Sequence, residues 1–133
     1  MLLKGQCLCG AVKYECDAEP ESMQCCHCDT CRRVTGSAFN IGVGVPKDSL
    51  NVTGNAKAYT HTNGVTREFC PECGTPLWTV GSKSVWIRAG TLDSSEGLHP
   101  TAEMWTEMAV PWARIPNGIP TYLQNKPTSQ SKT

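Results

Sequence analysis

Short stretches in which apolar and polar residues alternate run along much of the chain and predict β-strands. The clearest lies at 11–16, where Val12, Tyr14 and Cys16 fall on one face of an extended segment. Another stretch, at 39–45, is apolar, interrupted by glycines and followed by a proline that ends it. Both are typical of strands that bury one side.

Further strands are predicted in pairs, because turn residues separate apolar segments of similar length. They lie at 56–60 and 65–69 around Asn63-Gly64, at 76–80 and 84–89 around Gly81-Ser82, and, more weakly, at 101–107. Many short antiparallel strands joined by turns indicate an all-β sandwich or barrel-like fold.

One short helix is predicted at 29–34, where Asp29 or Thr30 could cap its start and Gly36 could end it. The 133 residues suit one domain, which we expect to span 1–123. The polar residues 124–133 are predicted to form a disordered tail.

The charge balance gives no indication of a nucleic-acid partner. Lysine and arginine together number 12, and aspartate and glutamate also number 12, so the chain has no basic surplus. No apolar stretch is long enough to cross a membrane, and the first residues do not resemble a signal peptide. We therefore expect a cytoplasmic protein, in which clustered cysteines are more often metal ligands than disulfides.

Seven of the nine cysteines fall into three clusters with the spacing of metal ligands. They are Cys7 and Cys9, then Cys26, Cys28 and Cys31, then Cys70 and Cys73. The first and third clusters together offer four thiolates, which predicts a structural zinc site that joins distant parts of the chain. The alternatives are a disulfide between these clusters or simple buried thiols.

The second cluster offers three thiolates, which would leave one position of a tetrahedral zinc open for chemistry. Cys25 or His27 could instead close the site and make it structural. A dithiol redox pair, Cys25 with Cys28 or Cys28 with Cys31, is a further alternative.

Side chains other than the seven clustered cysteines have different predicted roles. Arg32 and Arg33 could offset the thiolate charge or bind a substrate carboxylate. His27 is expected to point outward or to support the ligands from behind, whereas Cys16 and Cys25 are expected to be buried thiols without a metal. Arg88 is expected to form an ordinary surface ion pair.

The three motifs together resemble the glutathione-dependent formaldehyde-activating enzyme family, which includes the centromere protein V domain. The resemblance rests on GQCLCGAV at 5–12, CHCDTCRR at 26–33 with GSAF at 36–39, and FCPECGTPL at 69–77. It covers about residues 3 to 115, and the motifs occur in the family's order.

This resemblance implies an all-β, zinc-binding fold that has been described as a β-tent. It implies two zinc ions per chain, one structural and held by Cys7, Cys9, Cys70 and Cys73, the other catalytic and held by Cys26, Cys28 and Cys31. The implied activity is that of a carbon–sulfur lyase, which joins glutathione and formaldehyde to form S-hydroxymethylglutathione. A non-enzymatic zinc module and a redox dithiol protein are the alternatives.

Overall fold

The structure is a computed structural model that describes residues 1–113, 120 and 122–124. Within them the chain forms ten short strands and one α-helix. In chain order these are β1 Leu2–Gln6, β2 Lys13–Asp17, β3 Ser22–Cys26, α1 Asp29–Thr35, β4 Asn40–Pro46, β5 Leu50–Thr53, β6 Lys57–Thr60, β7 Thr66–Phe69, β8 Pro76–Val80, β9 Ser84–Arg88 and β10 Ala102–Met104. The predicted tail lies, apart from residue 124, outside the described residues.

The strands form two sheets. The smaller has the order β1-β2-β5, and the larger has the order β10-β3-β4-β9-β8-β7-β6. All pairings between the named strands are antiparallel except that of β10, which runs parallel to β3. The all-β prediction with one short helix is therefore confirmed, while the expectation of antiparallel strands alone is wrong at the β10 edge.

The core lies where the two sheets face each other. Val12, Tyr14 and Cys16 are all buried, as the alternation in this segment predicts. The ring of Tyr14 meets that of Trp78 edge-on, with centroids 5.6 Å apart and an interplanar angle of 86°. Trp78 also donates a hydrogen bond of 2.8 Å from its indole Nε1 to Oε1 of Glu68, so the polar edge of this buried ring is satisfied.

Tyr14 also links the smaller sheet to the end of β9. Thr91 lies just beyond β9, and its hydroxyl donates to the carbonyl oxygen of Arg88 at 2.8 Å. A hydroxyl has one proton to give, so the Tyr14 O–H is the donor in the 2.7 Å contact between Tyr14 and Thr91. The core is thereby connected to the region around Arg88, which lies beside one of the cysteine clusters.

Candidate metal centres

The first and third cysteine clusters come together in space. Cys7 and Cys9 follow β1, and Cys70 and Cys73 follow β7. All four Sγ atoms lie within 4.8 Å of one another, with 3.7 Å between those of Cys7 and Cys9 and 3.8 Å between those of Cys9 and Cys70. Four sulfurs at about 2.3 Å from a tetrahedral zinc would be about 3.8 Å apart, so the spacing fits that ion.

Tight turns aim these four thiols at a common point. Gly10 and Gly74 follow the two pairs and have φ values of 79°, in the left-handed region that favours glycine. The N–H of Gly74 donates to the carbonyl oxygen of Cys70 at 2.8 Å, and that of Gly10 donates to Cys7 at 3.2 Å. Both cysteine pairs are thus followed by a tight turn. The N–H of Val12 also donates to Sγ of Cys7 at 3.3 Å, a contact that favours a thiolate.

The four thiols do not ionise equally without a cation among them. The hydroxyl and the backbone N–H of Thr75 lower the pKa of Cys73 to about 5. The backbone N–H of Ala11 acts to lower the pKa of Cys9, but burial and the neighbouring thiols outweigh it and raise that pKa to about 12. The surroundings of Cys9 therefore disfavour its thiolate, and a divalent cation would offset that effect.

The second cluster gathers around the start of α1. Cys26 ends β3, Cys28 is the residue that caps the helix, and Cys31 lies in its first turn. Their three Sγ atoms lie within 4.8 Å of one another. Burial, followed by contact with the other two thiols, raises the pKa of Cys31 to about 12. The predicted cap at Asp29 or Thr30 is wrong, because Sγ of Cys28 accepts the N–H of Cys31; the predicted end at Gly36 is confirmed.

Cys25 and His27 do not complete this cluster. They belong to a separate group with Glu103, in which Nε2 of His27 lies 2.8 Å from Oε1 of Glu103. The alternative in which either residue closes the three-thiol site therefore disagrees with the structure. All nine cysteines lie within the described residues and are free thiols, so no disulfide joins the clusters.

The two arginines that follow this cluster differ in whether their guanidinium groups are free to bind another molecule. Arg32 forms an ion pair with Asp29 one turn earlier, whereas Arg33 is exposed and forms no ion pair among the described residues. Both line a cavity of about 790 Å³. Phe39 and Trp112 contribute its aromatic walls, and the Trp112 side chain is otherwise largely exposed.

Arg88 is placed differently from the sequence prediction. It is 7% exposed, and its guanidinium donates to Oγ1 of Thr79 at 2.9 Å instead of forming a surface ion pair. Its Nε is buried without a partner in the described part of the chain. Burial lowers the pKa of Arg88 and the charge of Arg67 adds to this effect, whereas the negative charge of Cys31 opposes it. The arginine thus lies close enough to the three-thiol cluster to respond to its charge.

The alternation of apolar and polar residues along β9 does not predict that Arg88 is buried, because the neighbouring Ile87 is buried as well. An isolated arginine at the end of an otherwise apolar strand is the one hint that the sequence offers.

Across the described residues, no helix combines the length and the apolar character that a membrane span needs.

Comparisons with known proteins agree with this geometry. The sequence profile of the glutathione-dependent formaldehyde-activating enzyme family matches residues 2–108. The chain belongs to this family. A family member from Halomonas elongata, which carries the provisional name of a glutathione-dependent formaldehyde-activating enzyme, is 30% identical over 96% of this chain and 78% of its own length.

A second relative supports the family assignment, and a solved structure supports the fold. An uncharacterized lyase of Schizosaccharomyces pombe is 32% identical over 98 residues, which cover 71% of this chain and 72% of the yeast protein. A crystal structure of a Rhodobacter sphaeroides protein superposes with a TM-score of 0.59 at 24% identity, covering 75% of this chain and 98% of that one. The structural match supports the fold alone.

Proposed function

We propose that the protein is a zinc-dependent enzyme of the carbon–sulfur lyase type, which joins glutathione or a similar small thiol to formaldehyde or a related aldehyde. In this proposal Cys7, Cys9, Cys70 and Cys73 hold a structural zinc. A second zinc is held by the other three clustered cysteines, Cys26, Cys28 and Cys31. The family assignment supports the reaction class, and the nine free thiols fit a reducing compartment such as the cytoplasm.

The observation that carries the proposal is the three-thiol cluster, which is followed directly along α1 by two arginines that line a cavity. Its sulfurs converge, and no fourth donor from the described residues joins them. A zinc ion bound there supplies Lewis acidity, which would keep a substrate thiol ionised at the remaining coordination position. The sulfur spacing and the soft donor set fit such an ion.

Arg33 is the best candidate to hold the substrate. Its exposed guanidinium lines the cavity, and guanidinium groups bind carboxylates through paired hydrogen bonds. Arg32 lines the same cavity but already pairs with Asp29, so it is better suited to fixing the shape of the helix end. A small thiol with carboxylates, such as glutathione, matches this arrangement.

The remaining cavity walls exclude water from part of the bound molecule. Phe39 and Trp112 contribute aromatic surface to the same cavity as the arginines, which suits the apolar portion of a peptide-like thiol. The buried charge of Arg88 acts on Cys31, and it would offset part of the negative charge of a thiolate there. These residues would therefore position the thiol and balance the charge.

The chemical step needs no redox partner. The thiolate sulfur forms a bond to the aldehyde carbon, the π pair of the C=O bond moves to oxygen, and that oxygen takes a proton from water. Breaking the same C–S bond reverses the step, releases the aldehyde and returns the proton. The proposed residues need only hold the thiolate and exclude competing water.

The test measures exchange between formaldehyde, glutathione and their adduct by NMR, with zinc counted in the same sample. We expect the zinc-loaded protein to accelerate exchange over the uncatalysed rate and to contain two zinc ions per chain. The proposal would be overturned by unaccelerated exchange in fully loaded protein. One zinc per chain, unchanged in Cys28→Ser, would equally contradict it.

A further inference from the structure

A third group of donor atoms lies outside both cysteine clusters. Cys25 is on β3, His27 follows that strand, and Glu103 lies on the neighbouring β10, directly opposite Cys25. Sγ of Cys25 is 3.6 Å from Nε2 of His27, which is 2.8 Å from Oε1 of Glu103. One donor atom from each of the three residues falls within 4.8 Å of the others.

The geometry of this group suits chelation better than proton relay. In a nucleophile–histidine–carboxylate relay, the two ring nitrogens contact different partners. Here Nε2 of His27 faces both the sulfur of Cys25 and the carboxylate of Glu103, while Nδ1 is buried without a partner in the described chain. Sulfur, nitrogen and oxygen thus converge on one point.

The distances also fit a tetrahedral ion. With bonds of about 2.3 Å to sulfur and about 2.0 Å to nitrogen, the two ligand atoms would be about 3.5 Å apart, close to the observed 3.6 Å. A nitrogen and an oxygen on the same ion would be about 3.4 Å apart, so the Glu103 carboxylate would have to move outward by about 0.6 Å. The Glu103 side chain is 57% exposed and has room to do so.

The group is held in place and can be reached from solvent. His27 donates its backbone N–H to Met104 at 3.1 Å, and its ring packs against Phe39 with centroids 5.2 Å apart. Glu103 lines cavities of about 430 and 280 Å³; Cys25 lines the first and His27 the second. Two of the donors, on Cys25 and His27, are therefore buried, and the third is an exposed carboxylate that lines both cavities.

We propose that Cys25, His27 and Glu103 form a third metal site, which takes a borderline divalent transition-metal ion such as Zn²⁺ or Co²⁺. A thiolate, an imidazole and a carboxylate are together suited to such ions, and water would fill the remaining position. The site is separate from the two cysteine clusters, and it does not depend on the lyase function proposed above.

The test adds Co²⁺ to protein prepared with two zinc ions per chain, so that the third site is still empty, while released zinc is monitored. We expect one further Co²⁺ per chain to bind without zinc release, with a visible d–d spectrum and one sulfur-to-cobalt charge-transfer band. Cys25→Ser should abolish that band, and Glu103→Gln should weaken binding at least tenfold, the usual cost of losing a supporting or ligating group. Cys16→Ser and Glu107→Gln are matched controls that should change neither.

The absence of a further equivalent of Co²⁺ would overturn the proposal. A further equivalent insensitive to both Cys25→Ser and Glu103→Gln would also overturn it. Cys25 is next to Cys26, and its substitution could disturb the neighbouring cluster, so the exposed Glu103 provides the independent test. Retention of two zinc ions in Glu103→Gln separates a failure at this site from a failure of the proposed lyase centre.

Discussion

The backbone N–H of Cys31 donates to Sγ of Cys28 over 3.4 Å, so one sulfur both caps α1 and belongs to the three-thiol cluster. These two roles depend on different properties of the side chain. Capping needs an acceptor of nearly any kind, whereas zinc binding needs a thiolate. Substitutions of Cys28 can therefore separate helix stability from metal binding.

We expect Cys28→Ser and Cys28→Ala to lower zinc content equally, from two ions to one, and to reduce lyase activity at least 100-fold. The serine variant keeps a cap, and the alanine variant should be less stable than it by about 1 kcal/mol. Metal analysis and urea unfolding of both variants measure the two effects. Equal stability of the two variants would show that the sulfur is not an effective cap.

The four-thiol site should contribute far more to stability than a buried thiol of similar exposure. Cys70→Ser removes a ligand between β7 and β8, and we expect the melting temperature to fall by about 10 °C or more, since loss of a metal costs several kcal/mol. Cys16 is as fully buried as Cys70, but among the described residues its thiol has one hydrogen-bond partner, the hydroxyl of Ser49. Cys16→Ser is therefore the control, and it should retain both zinc ions. Calorimetry with metal analysis tests this, and similar melting of the two variants would contradict it.

Arg33 should matter only for thiols that carry carboxylates. In Arg33→Ala we expect the KM for glutathione to rise about tenfold, the value of a charge-assisted hydrogen-bond pair of about 1.5 kcal/mol, while kcat changes little. Exchange with 2-mercaptoethanol, which has no carboxylate, should be unaffected. Lys57→Ala, which removes an exposed positive charge on β6, is the control. An equal loss with both thiols would assign Arg33 a structural role instead.

Arg88 should favour activity at the expense of stability. Its buried guanidinium has no carboxylate partner among the described residues, and such a charge is costly to bury. We expect Arg88→Met to melt at the same or a higher temperature but to lose activity about tenfold, because the thiolates lose a compensating charge. Arg88→Lys should recover part of the activity. A large drop in melting temperature for the methionine variant would instead make Arg88 a structural residue.

Tyr14 should make the protein sensitive to alkali. Burial raises the pKa of Tyr14 to about 12, above the value of about 10 in an unfolded chain. The folded state therefore favours the neutral phenol, and this stabilisation is complete below pH 10 and is lost as the pH rises towards 12. The loss should reach about 2 kcal/mol, as a shift of this size implies.

Urea unfolding at several pH values between 9 and 12 measures the effect of Tyr14. We expect Tyr14→Phe to be less stable at neutral pH by about 1 kcal/mol, since the hydrogen bond to Thr91 is lost, but to show a shallower decline in alkali. Tyr59→Phe removes an exposed phenol and should keep the steep decline. Parallel declines in the wild type and Tyr14→Phe would refute the assignment.

Much of the fold could be predicted from local sequence patterns, because a strand with one buried face shows regular alternation. The segment around Tyr14 and the hairpin at Gly64 both carry such signals, and both were predicted correctly. Strand β3 was missed because its two cysteines resemble metal ligands rather than the apolar face of a strand. Strand β1 was missed because one of its two buried positions is a glycine and the exposed Leu2 breaks the alternation of apolar and polar residues. Strand β5 was missed because it buries no residue fully.

The candidate site was predictable where ligands are close in sequence and unpredictable where distant strands supply them. The three-thiol group occupies six consecutive positions, so its spacing alone indicates a metal. Glu103 contacts His27 although 76 residues separate them in the sequence. Arg88 is buried because the order of the strands in the larger sheet places β9 between β4 and β8. Neither relationship has a local signature, because both arise from long-range pairing.

The parallel edge strand β10 also has a consequence for how the protein is made. Its partner β3 leaves the ribosome roughly 80 residues earlier, since Ala102 pairs with Gln24. Contacts of such long range form late in folding. During synthesis, the three clustered cysteines at the end of β3 and the start of α1 therefore emerge before β10, the strand that pairs with their neighbours. A chaperone that covers these thiols, or a metal ion that binds them during synthesis, would protect the nascent chain from oxidation and from binding the wrong partners.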